Sequence, residues 1–302
     1  MRHSPFRALL PIVALAATLP VAAQSFDAAT QAKGWAHQDR DFSFTFFDPA
    51  ARTLVTWDKG FGVMNTLSLA KLEAEPEMWF MDRYNNAWII SGDMLYFVTK
   101  DGKVDRKDRL PALVADVAWE GQTGFAISYR TAQPFIEMRD MKDGSVNWSH
   151  GQKPKKGEAP ARPLYQICMK AAPGQEAQVY VADTPAMTFT VLSGKKGQVM
   201  GQSVFSLDNQ ASPTLTLGSA DPGPLCPWIG KDVIFRAVDS TTLPASASKG
   251  LNGLLLARLD ISASTLSFEP TGLTPEYRFI GVVDGQAVFT KPGGGLAFVA
   301  VQ

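Results

Sequence analysis

Residues 76–98, PEMWFMDRYNNAWIISGDMLYFV, and residues 275–299, PEYRFIGVVDGQAVFTKPGGGLAFV, read as two copies of one unit. Both begin Pro-Glu, place a phenylalanine (Phe80, Phe279) shortly after the Glu, and reach an alanine (Ala87, Ala287) followed by large apolar residues. Both then turn at glycine and end Phe-Val, at Phe97-Val98 and Phe298-Val299. Matching Phe80 to Phe279 and Val98 to Val299 requires only two single-residue insertions. Three short apolar runs in the same order, recurring in one chain, indicate a repeat architecture.

Working outward, the same texture fills the chain. Short β-rich runs such as Phe42–Phe47, Thr53–Trp57, Phe125–Tyr129, Gln178–Ala182, Val233–Val238 and Gly253–Leu259 are broken by Gly, Pro, Asp and Asn. Phe42, Phe44 and Phe46 alternate with Ser43 and Thr45, the period of a strand with two distinct faces. Long helical periodicity is missing; residues 26–37 alone carry a short helical pattern. A hairpin signal recurs as Lys100-Asp101-Gly102-Lys103-Val104, Lys142-Asp143-Gly144-Ser145-Val146 and Lys196-Gly197-Gln198-Val199. Glycine there tolerates the positive φ of a tight turn, and Asp can bond its local backbone.

Repeating units fall roughly at 42–75, 76–111, 113–150, 163–208, 225–273 and 275–302. The expected fold is all-β: a six-bladed β-propeller, or a seven-bladed one if residues 209–224 hold further strands. The first unit lacks an obvious inner strand and the last ends after three, so an N-terminal strand is expected to complete the last blade and cover its edge. The segment Met138-Arg139-Asp140-Met141-Lys142-Asp143-Gly144-Ser145-Val146-Asn147-Trp148 resembles the strand–turn–strand repeat of pyrroloquinoline-quinone-like (quinoprotein-type) propellers, where an Asp, a Gly and a closing Trp recur. Leu259-Asp260 with Leu266-Ser267-Phe268 matches in part. The resemblance implies architecture; many propellers built from such repeats bind no quinone.

The N-terminus carries its own signal. Arg2, His3 and Arg7 precede an apolar stretch from Ala8 to Ala17, and Val21-Ala22-Ala23 supplies small residues before Gln24. These are the three parts of a cleavable secretory leader over 1–23, leaving 24–302 as one domain in the periplasm or outside the cell. Pro11 and Pro20 interrupt a run already short for a membrane span, so no transmembrane segment is expected in the mature chain. The chain holds 29 basic and 29 acidic residues. Loss of Arg2 and Arg7 with the leader tips the mature domain slightly acidic, which argues against nucleic acid. Cys168 and Cys226 are an even pair in an exported chain and are expected to form a disulfide.

Chemistry-bearing motifs are sparse. His37 and His150 are the only histidines beyond the leader, with no spacing that seeds a zinc site. No nucleophile elbow or phosphate-cradling loop is present. What remains is the set expected where innermost strands begin, around a propeller's channel mouth: Glu77, Asp116, Tyr165, Trp228 and Glu276. The leading expectation is an exported, non-enzymatic module binding a protein or small ligand, with no catalytic residue, no cofactor and no metal assigned. One alternative is a calcium-dependent lactonase-like hydrolase, in which Glu77, Asp116 and Glu276 supply hard oxygen ligands. Another is a quinone-binding redox protein.

Overall fold

The computed structural model describes residues 34–37, 43–57, 63–119, 124–155, 157–161, 165–171, 175–183, 188–204, 206–207, 226–227, 232–243, 250–283, 285–292 and 296–301. They form six sheets of consecutive antiparallel strands. Sheet 1 holds β1 (Gly34–His37), β2 (Ser43–Asp48), β3 (Thr53–Trp57) and β4 (Val63–Ser68). Sheet 2 holds β5 (Met78–Met81), β6 (Ala87–Ser91), β7 (Met94–Val98) and β8 (Val104–Arg109). Sheet 3 holds β9 (Val114–Trp119), β10 (Gly124–Tyr129), β11 (Phe135–Asp140) and β12 (Val146–Gly151). Sheet 4 holds β13 (Tyr165–Lys170), β14 (Gln178–Asp183), β15 (Thr188–Ser193) and β16 (Val199–Val204).

From sheet 4 the chain crosses through β17 (Ser206–Leu207). Sheet 5 holds β18 (Cys226–Pro227), β19 (Val233–Asp239), β20 (Leu254–Asp260) and β21 (Thr265–Leu273), and β17 adds to β21 in parallel. Sheet 6 has three described strands: β22 (Arg278–Val283), β23 (Gln286–Thr290) and β24 (Leu296–Ala300).

Both faces of each sheet are apolar, so each must be covered twice. The core answers this with six clusters, one between each sheet and the next. Phe47 and Leu54 of sheet 1 meet Trp79 and Ile89 of sheet 2. Phe80 and Trp88 of sheet 2 meet Trp119 and Phe125 of sheet 3. Ile136 meets Ile167 and Val179 across sheets 3 and 4, and Cys168 meets Ile234 and Leu255 across sheets 4 and 5. Phe235 meets Phe279 and Phe289 across sheets 5 and 6. The circuit closes where Ile280 and Val288 of sheet 6 pack on Phe44 and Phe46 of sheet 1. Indole N–H groups tie neighbouring sheets as well: Trp79 donates to the Thr45 carbonyl at 3.0 Å, Trp88 to Met141 at 3.1 Å, and Trp148 to Gly194 at 2.7 Å.

The internal repeat is visible in the pairing. Ala87 faces Val98 as Ala287 faces Val299, and Trp88 faces Phe97 as Val288 faces Phe298. The first strand corrects the sequence alignment by one residue. Trp79 pairs with Ile89 and Phe279 pairs with Phe289, so Phe279 takes the place of Trp79, not of Phe80. A register shift between Phe279 and Gly281 absorbs the difference. One residue of slip moves a side chain to the opposite face, which is why the cores of sheets 2 and 6 could not be matched by letters alone.

The recurring glycine turn joins the third and fourth strands of sheets 2, 3 and 4, with φ of +74° at Gly102, +69° at Gly144 and +67° at Gly197. In sheets 1 to 4 the register then slips once near the start of the fourth strand. Met64, Asp105, Asn147 and Met200 are the extra residues of these bulges. A repeated bulge twists each outer strand in the same way. The short helix expected over 26–37 is not found at its described end: Gly34–His37 is β1, held by pairing with Ser43–Phe46, and it is the inner strand the first unit lacked. The rest of that segment, and residues 209–224, lie outside the described residues.

Candidate functional site

The inner strand of each sheet is its first, and these strands lie against one another: β1 beside β5 and β22, β13 beside β9 and β18, and β18 beside β22. Four of the five expected mouth residues, Glu77, Asp116, Tyr165 and Glu276, sit at or near the N-terminal ends of inner strands, and the structure gives them different surroundings.

Asp116, on β9, is buried to 5% exposure. Its Oδ1 accepts the Val117 N–H at 2.9 Å and its Oδ2 accepts the Ile167 N–H of β13 at 3.0 Å. Ser128, paired with Asp116 across the ladder, donates its hydroxyl to the Tyr165 carbonyl at 2.8 Å. Two short polar side chains, on the first and second strands of sheet 3, therefore bond the inner strand of sheet 4. They also fix β9 and β13 side by side with their starts at the same end.

Tyr165 opens β13 opposite Asp183. Burial raises its phenol above the ordinary range, and the Asp183 carboxylate adds to the effect. Glu77 is exposed immediately before β5, and its backbone N–H bonds the Ile90 carbonyl at 2.9 Å. Glu276 is exposed in the turn before β22; a hydrogen bond from the Thr274 side chain holds its carboxyl below the ordinary range. Trp228 follows β18 in the chain and lies outside the described residues. Among the described residues no three of His, Cys, Asp and Glu come together as metal ligands. Glu77, Asp116 and Glu276 are thus placed on three different sheets, with Asp116 drawn into the protein interior.

Cys168 is buried on β13, packed against sheet 5, and Cys226 lies on β18, which runs against β13. No disulfide is recorded among the described residues, and the Cys226 side chain lies outside them.

A buried polar cluster that the sequence reading did not single out lies elsewhere, around the strongly perturbed Tyr129. Tyr129 donates to Glu137 Oε2 at 2.6 Å, and Arg139 reaches the same oxygen through its Nε at 3.1 Å and a terminal nitrogen at 2.5 Å. Arg139 also donates to the Gly144 carbonyl of the recurring turn at 2.9 Å. Burial, then the Glu137 charge, pushes Tyr129 far above an ordinary phenol. Glu137 and Arg139 stand two apart in the strand FIEMRD, among Phe135, Ile136 and Met138, opposite charges on one buried face. That spacing was readable in the sequence. The cluster supports the sheet 3 turn and is buried, with Glu137 and Arg139 each below a tenth exposed.

No protein-family model and no curated protein matches the chain. Solved structures do. An inactive variant of virginiamycin B lyase from Staphylococcus aureus, crystallised with quinupristin, shares 13% identity at a TM-score of 0.52, covering 89% of this chain and 81% of that one. A protein of Bacteroides fragilis designated as exported shares 12% at 0.51, covering 89% and 90%. A chain of the Mitotic Checkpoint Complex shares 10% at 0.50, covering 88% and 76%. Among the described residues no helix is long and apolar enough to cross a membrane. At these identities the likeness is one of fold, and with the sheets packed in circuit it identifies the chain as a β-propeller protein.

Proposed function

We propose that this chain is an exported, non-enzymatic binding module: a six-bladed propeller of quinoprotein-like repeats, its last blade completed by an N-terminal strand, acting in the periplasm or outside the cell. Its contact surface is the rim where inner strands begin, presenting the exposed Glu77 and Glu276, with Tyr165 buried behind it and Trp228 expected to join them. The observation that carries this reading is the engagement of Asp116. A carboxylate buried and bonded to two backbone N–H groups across a sheet boundary serves as a latch, and leaves the lactonase-like alternative without its central acid. Glu77 and Glu276, exposed and on separate sheets, suit contact with a partner better than concerted acid–base chemistry, which needs both groups within reach of one substrate.

The test is an affinity capture from envelope extract, run in parallel with the wild-type chain and with Glu77→Lys/Glu276→Lys. A protein or small ligand retained by the first and lost by the second supports the rim. Calcium-dependent turnover of a lactone, together with a calcium-induced rise in melting temperature that Glu77→Gln abolishes, would overturn it in favour of the hydrolase. A visible chromophore or an absorbance change on adding a quinone would point to the redox reading instead.

Export also frames the cysteines. With Cys168 facing sheet 5 and β18 beside β13, a Cys168–Cys226 bridge would clamp the inner strands of sheets 4 and 5. It would close a loop of about 58 residues, worth roughly 4 kcal/mol in the chain-entropy account.

A further inference from the structure

We infer that Asn252 is a self-modifying site: in the folded chain it loses its side-chain amide to attack by the backbone nitrogen of Gly253, leaving aspartate and isoaspartate. This goes beyond the binding role proposed above and does not rest on it. Asn252-Gly253 is the only Asn-Gly step in the sequence. A following glycine exposes its own nitrogen, because no side chain stands beside it. What the fold does with each Asn-Gly or Asp-Gly step then decides which can react. At Asp101-Gly102 the Gly102 N–H donates to the Thr99 carbonyl at 2.7 Å. At Asp143-Gly144 the Gly144 N–H donates to the Asp140 carbonyl at 2.9 Å, and Asp143 Oδ1 accepts the Ser145 N–H at 2.9 Å. These turns commit the nitrogen that would attack. Asp284-Gly285 has its Asp outside the described residues. Asn252 sits differently: it is exposed in the link from β19 to β20, between Gly250 and Gly253, both at φ of +78°. Among the described residues the Gly253 N–H donates to no backbone carbonyl, and the Asn252 side chain makes no hydrogen bond. The Gly253 carbonyl accepts the Ser240 N–H at 3.0 Å, so the ladder holds the far side of Gly253 and leaves its nitrogen uncommitted.

The reaction balances on these two residues and water. The Gly253 nitrogen gives its proton to solvent and bonds to Asn252 Cγ; the bond from Cγ to the side-chain nitrogen breaks, and that nitrogen leaves as ammonia. A cyclic succinimide results, and the neighbouring groups need no encounter to form it. Water then opens the ring on either side. Cleavage at Cγ restores the ordinary backbone with aspartate at 252. Cleavage at the backbone carbonyl routes the chain through Cβ and Cγ, which is isoaspartate. Either product carries a carboxylate that is ionised at neutral pH. The antiparallel order of β18, β19 and β20 puts this link at the end of sheet 5 where its inner strand begins. The new charge therefore arises on the rim side. The isoaspartate form also lengthens the backbone beside the Ser240–Gly253 bond that opens the β19–β20 ladder.

The test is peptide mass mapping of the folded chain after incubation at mildly alkaline pH, run beside Asn252→Gln and beside wild-type chain held in urea. The peptide containing Asn252 is expected to gain about one dalton, the exchange of NH2 for OH, and to separate into two forms of equal mass. Ion exchange of the intact protein should show a variant more acidic by one charge, absent from Asn252→Gln. The peptides containing Asn85 and Asn86 should keep their mass over the same period. Retention of the amide at Asn252 in the folded chain would overturn the inference, whether or not the urea-held chain loses it. Conversion that begins at Asn85 or Asn86 would overturn it equally, because the selection by Gly253 would then be wrong.

Discussion

At the scale of single residues, the chain uses polar side chains where an apolar core would leave backbone groups unpaired. Asp116 shows this most plainly, since one carboxylate satisfies N–H groups on two sheets. Replacing Asp116 by Ala leaves the Ile167 N–H buried without an acceptor, and an unfolding free energy about 2–3 kcal/mol lower in urea titration is expected. Asp116→Asn keeps one acceptor oxygen and should fall between the two. If Asp116 served a ligand rather than the fold, the alanine variant would unfold at the wild-type midpoint. The Glu137–Arg139 pair is more sharply poised. Glu137→Ala strands a buried guanidinium and is expected to destabilise by about 3–5 kcal/mol, while a Glu137→Leu/Arg139→Met double variant should recover much of that loss. Tyrosines set the alkaline limit. Burial raises Tyr180 to about 12 and Tyr129 well beyond an ordinary phenol. A phenol whose folded pKa exceeds its unfolded value near 10 holds its proton longer in the native state, so stability is constant below pH 10 and falls as pH rises above it. Phenylalanine at position 180 should make that fall shallower in melts recorded between pH 9 and 11.

At the scale of elements, the recurring turn and the bulge behind it are one device. Gly144 has positive φ, and a Cβ there would lie 2.7 Å from the Trp88 ring of the preceding sheet; at Gly197 the same atom would lie 2.6 Å from Trp148. Gly92 also has positive φ but faces open space. Gly144→Ala is therefore expected to lose about 1–3 kcal/mol more than Gly92→Ala, because only the former displaces a buried indole. A shift in tryptophan emission should accompany the first substitution and not the second. These turns were legible because their physics is local: a glycine that needs positive φ and an Asp that bonds its own loop leave a letter pattern. The short inner strand β1, Gly-Trp-Ala-His, left none, since its strand character comes wholly from pairing with β2. The slip at Phe279 was equally hidden. Both registers give apolar residues on both faces, and only the bulge before Gly281 decides between them.

At the scale of the whole molecule, sheet repetition could be read because both faces of every unit are apolar, which demands neighbours on two sides. The candidate rim could be read only as positions: sequence placed Asp116 near a strand start but could not show that its carboxylate turns inward to β13. At the crossing from sheet 4 to sheet 5, the described part of β18 is Cys226–Pro227, set beside β13. A covalent tie there would stiffen the whole circuit, because opening one seam exposes the cores on both sides of it. The bridge predicts no reactive thiol in denatured, unreduced protein and two after reduction, matching the two cysteines of the chain. Reduction should then lower the melting midpoint on the order of 10 °C, the shift that roughly 4 kcal/mol produces in a domain of this size. Cys168→Ala/Cys226→Ala should melt where the reduced protein does and ignore reductant. Two thiols titrating without reductant would show instead that the seam is held by packing alone, with Cys168 as one more apolar residue against Ile234 and Leu255.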